Sequence, residues 1–298
     1  EQKEEETMKC KIIAIGVFLV LLLGMTTLIG PLRVAGYEYG VQVGDSFTFK
    51  INGAHIDWDI DIPQLPQYST QGEENGIPFE DVTLNAGDSF DLRIDEVGSD
   101  YVEISIIIGT QEESMTLPAL FDISTWSQFL WGSGIYGLLS SALAGEDIEI
   151  DMSWVILSVI TYADDAWWEY LKNQLLSLAG QSSSEDAEFK FDDTNEEFGV
   201  VSQFDIDESE EGTTSKMNID FRMVWDKATG VMKGVLIELM MDISSTSGTM
   251  DVNADFEVVQ EGYDIEGFAE EGGMIPGYEL FCLFPTIGAL ALIFKRRK

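Results

Sequence analysis

The chain has 298 residues, of which 54 are acidic and 16 are basic, and its formal charge is −38. Such a negative field repels nucleic acid and anionic lipid headgroups, so neither is an expected partner of the charged part of the chain. Hydrophobic residues make up 45% of the sequence, which excludes a disordered acidic tail and allows a sizeable core.

Residues 1–36 predict a secretory signal peptide. Basic residues precede an apolar run over 12–32. Val34 and Gly36 suit positions −3 and −1 of a cleavage site, so we expect cleavage after Gly36. Residues 1–7 carry four acids, whereas the beginning of a signal peptide is basic. We therefore expect that Met8 is the natural start and that residues 1–7 are an artefact of start-site assignment. The alternative is an uncleaved membrane helix, because the apolar run has the length of roughly 20 residues that spans a bilayer.

The segment from Tyr37 to about Leu117 predicts strands. Gly44-Asp45-Ser46-Phe47 recurs as Gly87-Asp88-Ser89-Phe90, and alternating apolar residues follow each copy. A Gly-Asp turn that leads into a half-buried strand produces this pattern. Residues 101–108 continue the sheet, whereas residues 64–78 are interpreted as a polar loop.

Asp57, Asp59 and Asp61 form the sharpest cluster of candidate ligands. Alternate residues of a strand share one face, so these carboxylates and His55 lie opposite an apolar face that includes Trp58. Carboxylate oxygens bind Ca²⁺, and the three acids predict a Ca²⁺ site if the strand bends. The alternative is a solvated polar face opposite the core.

Residues 118–180 predict helices. The first runs from Thr125 to about Ala144, and the second runs from Ala166 to Ala179 with Asp164 or Asp165 as its cap. The intervening stretch 148–162 fits either a strand or a helix.

The second predicted helix carries an aromatic face. Trp167, Trp168 and Tyr170 either line a pocket for an apolar ligand or pack the helix on a sheet.

Residues 186–263 predict an antiparallel meander. Its strongest element is a hairpin whose turn ends at Gly230. Residues 205–211 form a second acidic cluster, interpreted as a solvated loop or a cation site. Residues 261–274 are rich in Gly and Glu and predict a flexible acidic stalk.

Pro276, Gly277 and Tyr278 open a C-terminal address. An apolar run over 280–294 follows, and Lys295-Arg296-Arg297-Lys298 ends the chain. The positive-inside rule places this basic end in the cytoplasm and the preceding domain outside the cell. We therefore expect a cell-surface protein that is anchored in the cytoplasmic membrane.

These three parts resemble the tripartite C-terminal sorting signals of archaeal cell-surface proteins. The best-known of those signals has Pro-Gly-Phe where this chain has Pro-Gly-Tyr, and the resemblance covers only residues 275–298. It implies that an archaeosortase-type enzyme removes the tail and attaches a lipid. The simpler alternative is a permanent single-pass anchor.

Most catalytic machinery is excluded by residue content. His55 is the only histidine, which excludes the His pair of a metalloprotease, and no Gly-x-Ser-x-Gly elbow accompanies it. Phosphate-binding and dinucleotide-binding fingerprints are also absent. Cys10 and Cys282 lie in the apolar terminal segments, so the exported part forms no disulfide.

The expected fold is α+β, with an antiparallel, meander-rich sheet or sheets and helices from the middle of the chain packed on one face. The expected layout is a signal segment (1–36), an extracellular domain (37–260), a stalk (261–274) and a transmembrane helix with a basic end (275–298).

The expected function is a non-catalytic structural or binding role at the cell surface, with no cofactor other than the Ca²⁺ considered above. In element order the domain resembles bacterial lipoprotein carriers, which implies the alternative of a membrane-tethered carrier of lipid or another hydrophobic ligand. A third alternative is a carboxylate-dependent hydrolase, which needs two acids about 5–10 Å apart in a cleft.

Overall fold

The computed structural model describes residues 37–61, 63, 69–79, 82–99, 101–118, 159–179, 187–210, 213–245, 248–268 and 273–275. The predicted signal segment, the helix predicted over 125–144 and the motif Pro276-Gly277-Tyr278 with the apolar run after it lie outside these residues, as does most of the ambiguous stretch 148–162.

Within the described ranges, no helix is both long and apolar enough to cross a membrane.

The described part of the chain contains thirteen strands and one helix. The strands are β1 (Ser46–Asp61), β2 (Thr70–Asn75), β3 (Ile77–Phe79), β4 (Val82–Leu84), β5 (Ser89–Val97), β6 (Tyr101–Ile108), β7 (Gln111–Pro118), β8 (Ala187–Asp193), β9 (Glu197–Glu210), β10 (Thr213–Asp226), β11 (Met232–Ser245), β12 (Gly248–Gln260) and β13 (Gly273–Ile275), and the helix is α1 (Asp165–Ala179).

Eleven of these strands form one antiparallel sheet, which confirms the expected antiparallel, meander-rich arrangement. Its order is β13-β8-β9-β10-β11-β12-β1-β5-β6-β7, with β2 also paired to β1, and β3 pairs with β4 separately. One edge of β1 pairs with β12 along most of its length. The other edge pairs first with β5 and then with β2. The long strand β1 therefore joins the N-terminal meander to the C-terminal one.

A bulge in β1 keeps its apolar side chains on one face. The register with β12 shifts between Ile51 and Gly53, and the apolar residues on both sides of the shift are buried. Asn52 is the extra residue of the bulge, and one extra residue reverses the alternation of a strand. The apolar residues that follow it, from Ala54 onwards, therefore lie on the same face as Phe49 and Ile51. The resulting apolar face comprises Phe49, Ile51, Ala54, Ile56, Trp58 and Ile60 on β1, Met250, Val252, Ala254, Phe256 and Val258 on β12, Val235, Leu239, Met241 and Ile243 on β11, and Met217, Ile219, Phe221, Met223 and Trp225 on β10.

Helix α1 confirms the predicted helix at Ala166 and shows how it starts. The backbone N–H of Ala166 donates to Asp164 Oδ1 at 2.7 Å, so Asp164 is the N-cap. Trp168 packs against Phe198 on β9, with ring centroids 5.3 Å apart. Its indole N–H donates to the carbonyl of Lys227 at 3.3 Å. These contacts are those of a helix packed against a sheet.

Two segments predicted as loops contain strands. Within residues 64–78, β2 pairs with the second half of β1. Its Gly72 lies directly beneath the Trp58 ring, because a Cβ at this glycine would be 2.2 Å from Trp58 Cζ2. Asp205 and Asp207 belong to β9, which pairs with β10 as far as Glu210. Polar side chains hide β2 and the acidic end of β9 from a search for apolar alternation, although the first part of β9 belongs to the predicted meander.

A second, smaller core lies on the opposite face of the sheet, which we call the polar face. It consists of Val201, Val224, Leu236, Val259, Ile265 and Phe268. The last two residues come from the predicted stalk, so its beginning is packed and not extended. Apolar side chains at Ile265 and Phe268 interrupt the Gly- and Glu-rich composition that predicted flexibility.

Candidate functional site on the polar face of the sheet

The polar face carries carboxylates that oppose one another on neighbouring strands. Asp59 on β1 faces Asp251 on β12, and Asp251 faces Asp242 on β11. Side chains in such pairs have Cβ atoms about 4.5–5.5 Å apart, and like charges there are destabilising. All three residues are exposed, so water and salt moderate their repulsion. We call Asp59, Asp251 and Asp242 the acidic row.

The acidic row has little cationic compensation among the described residues. Six basic residues form ion pairs with carboxylates elsewhere: Arg93, Lys172, Lys216, Arg222, Lys227 and Lys233. Lys216 faces Asp242 across β10 and β11, but its ion pair is with Asp207 at 3.7 Å. Asp251, at the centre of the row, has a carboxylate on either side.

The three predicted Ca²⁺ ligands lie on one face of β1, as their spacing predicts, but they have different partners. Asp57 accepts a hydrogen bond from Asn253 at 3.1 Å, and Asp61 accepts one from Ser69 at 3.2 Å. Asp59 faces Asp251 instead. The pairing with β12 is regular from Gly53 to Asp61, without the bend that would converge the three acids.

The described residues contain no group of three or more His, Cys, Asp or Glu side chains that could hold a metal ion. The Ca²⁺ site at Asp57, Asp59 and Asp61 stays a prediction.

His55 stands beside these acids with both ring nitrogens engaged. Nδ1 lies 2.9 Å from Asn75 Oδ1, and Nε2 lies 3.1 Å from Asp57 Oδ2. The hydrogen bond with Asn75, followed by that with Asp57, raises the pKa of His55 above its ordinary value despite some desolvation. The imidazolium can donate to both acceptors, so neither nitrogen is placed to take a proton from a nucleophile.

Arg222 organises a network of buried charge that the sequence did not indicate. Its Nε and Nη2 donate to the two oxygens of Asp220 at 3.0 and 2.7 Å, and Gln203 donates to the same carboxylate at 2.8 Å. The hydrogen bond to Asp220 is the main cause that raises the pKa of Arg222. The sequence signal that could have revealed this network is a basic residue, Arg222, within the apolar alternation of β10. A charge inside a strand is rarely unpaired, so it indicates a buried acidic partner.

Glu238 lies on the same face, close to other acids. Partial burial, followed by repulsion from Asp220 and Asp255, raises the pKa of its carboxyl group. Its side chain is nevertheless exposed, so solvent screening limits the effect of this shift on stability.

Two other ion-pair networks tie distant elements together. Asp193 accepts hydrogen bonds from Lys172 on α1 and from Lys227 after β10, at 2.9 and 2.8 Å. Burial opposes ionisation of Asp193, but the two lysines prevail and lower its pKa. At the far end of the sheet, Arg93 on β5 donates to Asp95 of the same strand at 2.7 Å, to Ser105 on β6 at 3.2 Å and to Glu112 on β7. These networks serve the fold, because each of them joins separate strands, turns or helices.

The apolar face presents a different anomaly. Trp58 and Trp167 bury indole N–H groups that have no hydrogen-bond partner in the described part of the chain. Their side chains are 8% and 3% exposed. A buried unsatisfied donor costs about 1–3 kcal/mol, so two of them on one apolar core require an explanation.

The sequence matches no protein-family model, and no curated protein is significantly similar to it. The candidate site consists of an exposed acidic row on one face of the sheet, and the apolar core on the other side contains two buried indole N–H groups without an acceptor among the described residues.

Proposed function

We propose that the chain is a membrane-anchored, acidic extracellular surface protein with a binding or structural role and no catalytic one. The observation that supports this most directly is the acidic row, because carboxylates that face one another on neighbouring strands are unfavourable for the fold itself, and Lys216, which faces Asp242, is paired with Asp207. Such a face stays strongly hydrated and attracts cations from solution. The C-terminal apolar run and basic cluster support the anchoring.

The surroundings of His55 support a non-catalytic role. Both of its nitrogens are engaged by Asn75 and Asp57, so the imidazole is not placed to act as the general base for a hydroxyl nucleophile. The acids of the acidic row are exposed to water, whereas acids in catalysis usually sit where water is restricted.

External proteolysis of intact cells tests the proposed placement. Cells that produce the full chain are treated with a protease that cannot enter them, and an intracellular protein serves as the control. We expect degradation of residues 37–260 and protection of the basic end. Full protection of the domain until the cells are lysed would refute the outside location.

Mass spectrometry of the C-terminal peptides separates the two forms of anchoring. Recovery of the peptide that contains Lys295 and Lys298 from the mature protein indicates a permanent helix. Its loss, together with a lipid-modified peptide near Pro276, indicates processing by an archaeosortase-type enzyme.

A membrane-tethered carrier of lipid or another hydrophobic ligand is the second candidate, and it is favoured by the two indole N–H groups that have no partner in the part of the chain that the structure describes. An ester, ether or hydroxyl oxygen of an amphiphile would satisfy a donor such as Trp58 Nε1. The same face contains buried methionines, which adapt to irregular apolar ligands. They are Met217, Met223, Met232, Met241 and Met250.

Native mass spectrometry and a matched pair of variants test the carrier hypothesis. Trp58→Phe removes the unpaired N–H, whereas Trp168→Phe removes one that is bonded to Lys227. A carrier should retain a lipid on purification and lose it on Trp58→Phe but not on Trp168→Phe. Absence of bound lipid, with Trp58→Phe raising the free energy of unfolding, would argue against a carrier.

A further inference from the structure

The chain folds back onto the polar face after β12 ends. Tyr263–Phe268, which we call the clasp, places Ile265 and Phe268 in the small second core with exposures of 0% and 7%. Of the two backbone hydrogen bonds described for its amides, Tyr263 donates to Gln260 at the end of β12, and Phe268 donates to Ile265 within the clasp. Beyond Tyr263, the clasp is therefore attached to the sheet through side chains.

Two glycines in strand interiors form the sockets of the clasp. A Cβ at Gly199 on β9 would lie 2.1 Å from Phe268 Cζ, and one at Gly234 on β11 would lie 3.0 Å from Ile265 Cδ1. Neither glycine has a positive φ, so the backbone conformation does not require them. Their role is to leave space for the two apolar side chains, since glycine otherwise weakens a strand.

Arg222 holds the clasp on the sheet by hydrogen bonds to its backbone carbonyls. Its Nη1 donates to the carbonyls of Ile265 and Phe268 at 3.4 Å each, and also to that of Glu266. At the start of the clasp, the Tyr263 ring lies 5.2 Å from Lys233 Nζ, and its hydroxyl donates to Glu197 at 3.4 Å. Two buried apolar side chains and a few polar contacts thus offset the conformational entropy that the whole turn loses when it is ordered.

We propose that the clasp opens and closes independently of the sheet and acts as a spacer between the domain and the C-terminal apolar run. In the closed form, the turn is held on the sheet and Gly273–Ile275 pairs with β8, directly before Pro276. In the open form, the clasp has left the polar face and the three-residue pairing of Gly273–Ile275 with β8 is broken, so the 15 residues from Glu261 to Ile275 can span up to roughly 50 Å. The tether role rests on the proposed membrane anchoring, whereas the opening itself does not.

Independent opening follows from how the clasp is attached. Segments with few buried apolar contacts and no backbone ladder to the core open with less free energy than the core strands do. The clasp buries only two apolar side chains and has no backbone ladder to the sheet, and the β13 pairing that follows it covers three residues, whereas β10 and β11 are paired along their whole length.

Hydrogen exchange of the full chain in detergent micelles, read by mass spectrometry, tests this opening. We expect the clasp amides to exchange at least about 100-fold faster than those of β10 and β11, as sub-global opening requires. Gly199→Ala should displace the Phe268 ring and speed clasp exchange about tenfold further while leaving β10 and β11 unchanged. Arg93→Lys, which alters a comparable guanidinium network outside the clasp, is the matched control and should not change clasp exchange.

A double-mutant cycle asks whether the socket and the ring act as one unit. Phe268→Ala alone should speed clasp exchange, and Gly199→Ala should add little once the ring is absent. Exchange of the clasp at the rate of β10 and β11, or equal acceleration of all three by Gly199→Ala, would overturn independent opening. Additive effects in the cycle would refute the role of Gly199 as the socket of Phe268.

Flotation of the full chain on phosphatidylcholine vesicles tests the anchoring separately. Flotation with fast clasp exchange supports the spacer. Fast exchange without flotation would refute the anchoring and the tether role but leave the opening established, so the two failures are distinguishable.

Discussion

Replacing Asp251 by Asn should stabilise the protein, because this acid lies between Asp59 and Asp242 with no cation beside it. Two unit charges about 5 Å apart repel by roughly 0.8 kcal/mol in water. Screening over a Debye length of about 10 Å at 0.1 M salt reduces this to roughly 0.5 kcal/mol for each pair. Since the unfolded chain retains part of the repulsion, we expect a net gain of about 0.5–1 kcal/mol.

Urea unfolding at 0.1 M and 1 M KCl measures this gain. The Debye length falls to about 3 Å at the higher salt concentration, so the gain should fall to about a third. The amide oxygen of the new side chain can still accept the hydrogen bond that Asp251 takes from Asn253 at 3.0 Å. An unchanged m-value would show that the native state and not the denatured ensemble was altered.

Asp61→Asn is the matched control for this measurement. Asp61 is also exposed, but it faces the neutral Thr249, so its replacement should change stability little. Equal effects of the two substitutions would refute the cross-strand argument. A loss of stability on Asp251→Asn that appears only with Ca²⁺ would instead reveal a cation bound at this face.

Three further predictions concern His55, the start of α1 and the Gly230 turn. The single histidine should titrate by NMR above its ordinary pKa, and Asp57→Asn should lower its midpoint; because the folded pKa is raised, its stabilising contribution is complete below about pH 6.5 and lost as pH rises through the folded value. Unchanged stability relative to His55→Gln across that range would contradict this. Asp164→Ala removes the N-cap of α1 and should lower the free energy of unfolding by about 1 kcal/mol, measured by urea titration against Asp165→Ala as the control. Gly230→Ala places a Cβ 2.1 Å from the Thr161 carbonyl at φ +73°, whereas Gly44→Ala at φ +93° meets nothing within 4 Å. Both should lose about 1–2 kcal/mol to backbone conformation, and Gly230→Ala should lose clearly more, so equal losses in thermal unfolding would contradict the steric argument.

Local alternation predicted much of the sheet because most strands bury one face. The hairpin at Gly230 is confirmed, with the Thr229 amide donating to Asp226 at 2.8 Å. The start of α1 was also accessible, since an acidic cap before an aromatic face is a local signal. These features depend on residues that are close in the sequence.

The remaining features depend on pairing between distant residues. Strand β2 has no apolar alternation, and only its register with β1 makes it a strand. The acidic row likewise exists because three strands align, although each of its acids looks like a solvated residue in its own strand. In the sequence alone, Gly199 and Gly234 only weaken their strands. The structure shows that Phe268 and Ile265 occupy the space that a side chain at these two positions would take.

The pairing of β1 with β12 also determines when the domain can complete its folding. Asn52 and Glu257, which hydrogen-bond across this pair, are 205 residues apart in the sequence. At synthesis rates of about 5–20 residues per second, one edge of β1 waits roughly 10–40 s for its partner. During that interval a strand with a continuous apolar face has an unpaired edge, which favours aggregation. We therefore expect the folding yield to depend on the rate at which the C-terminal strands become available to β1.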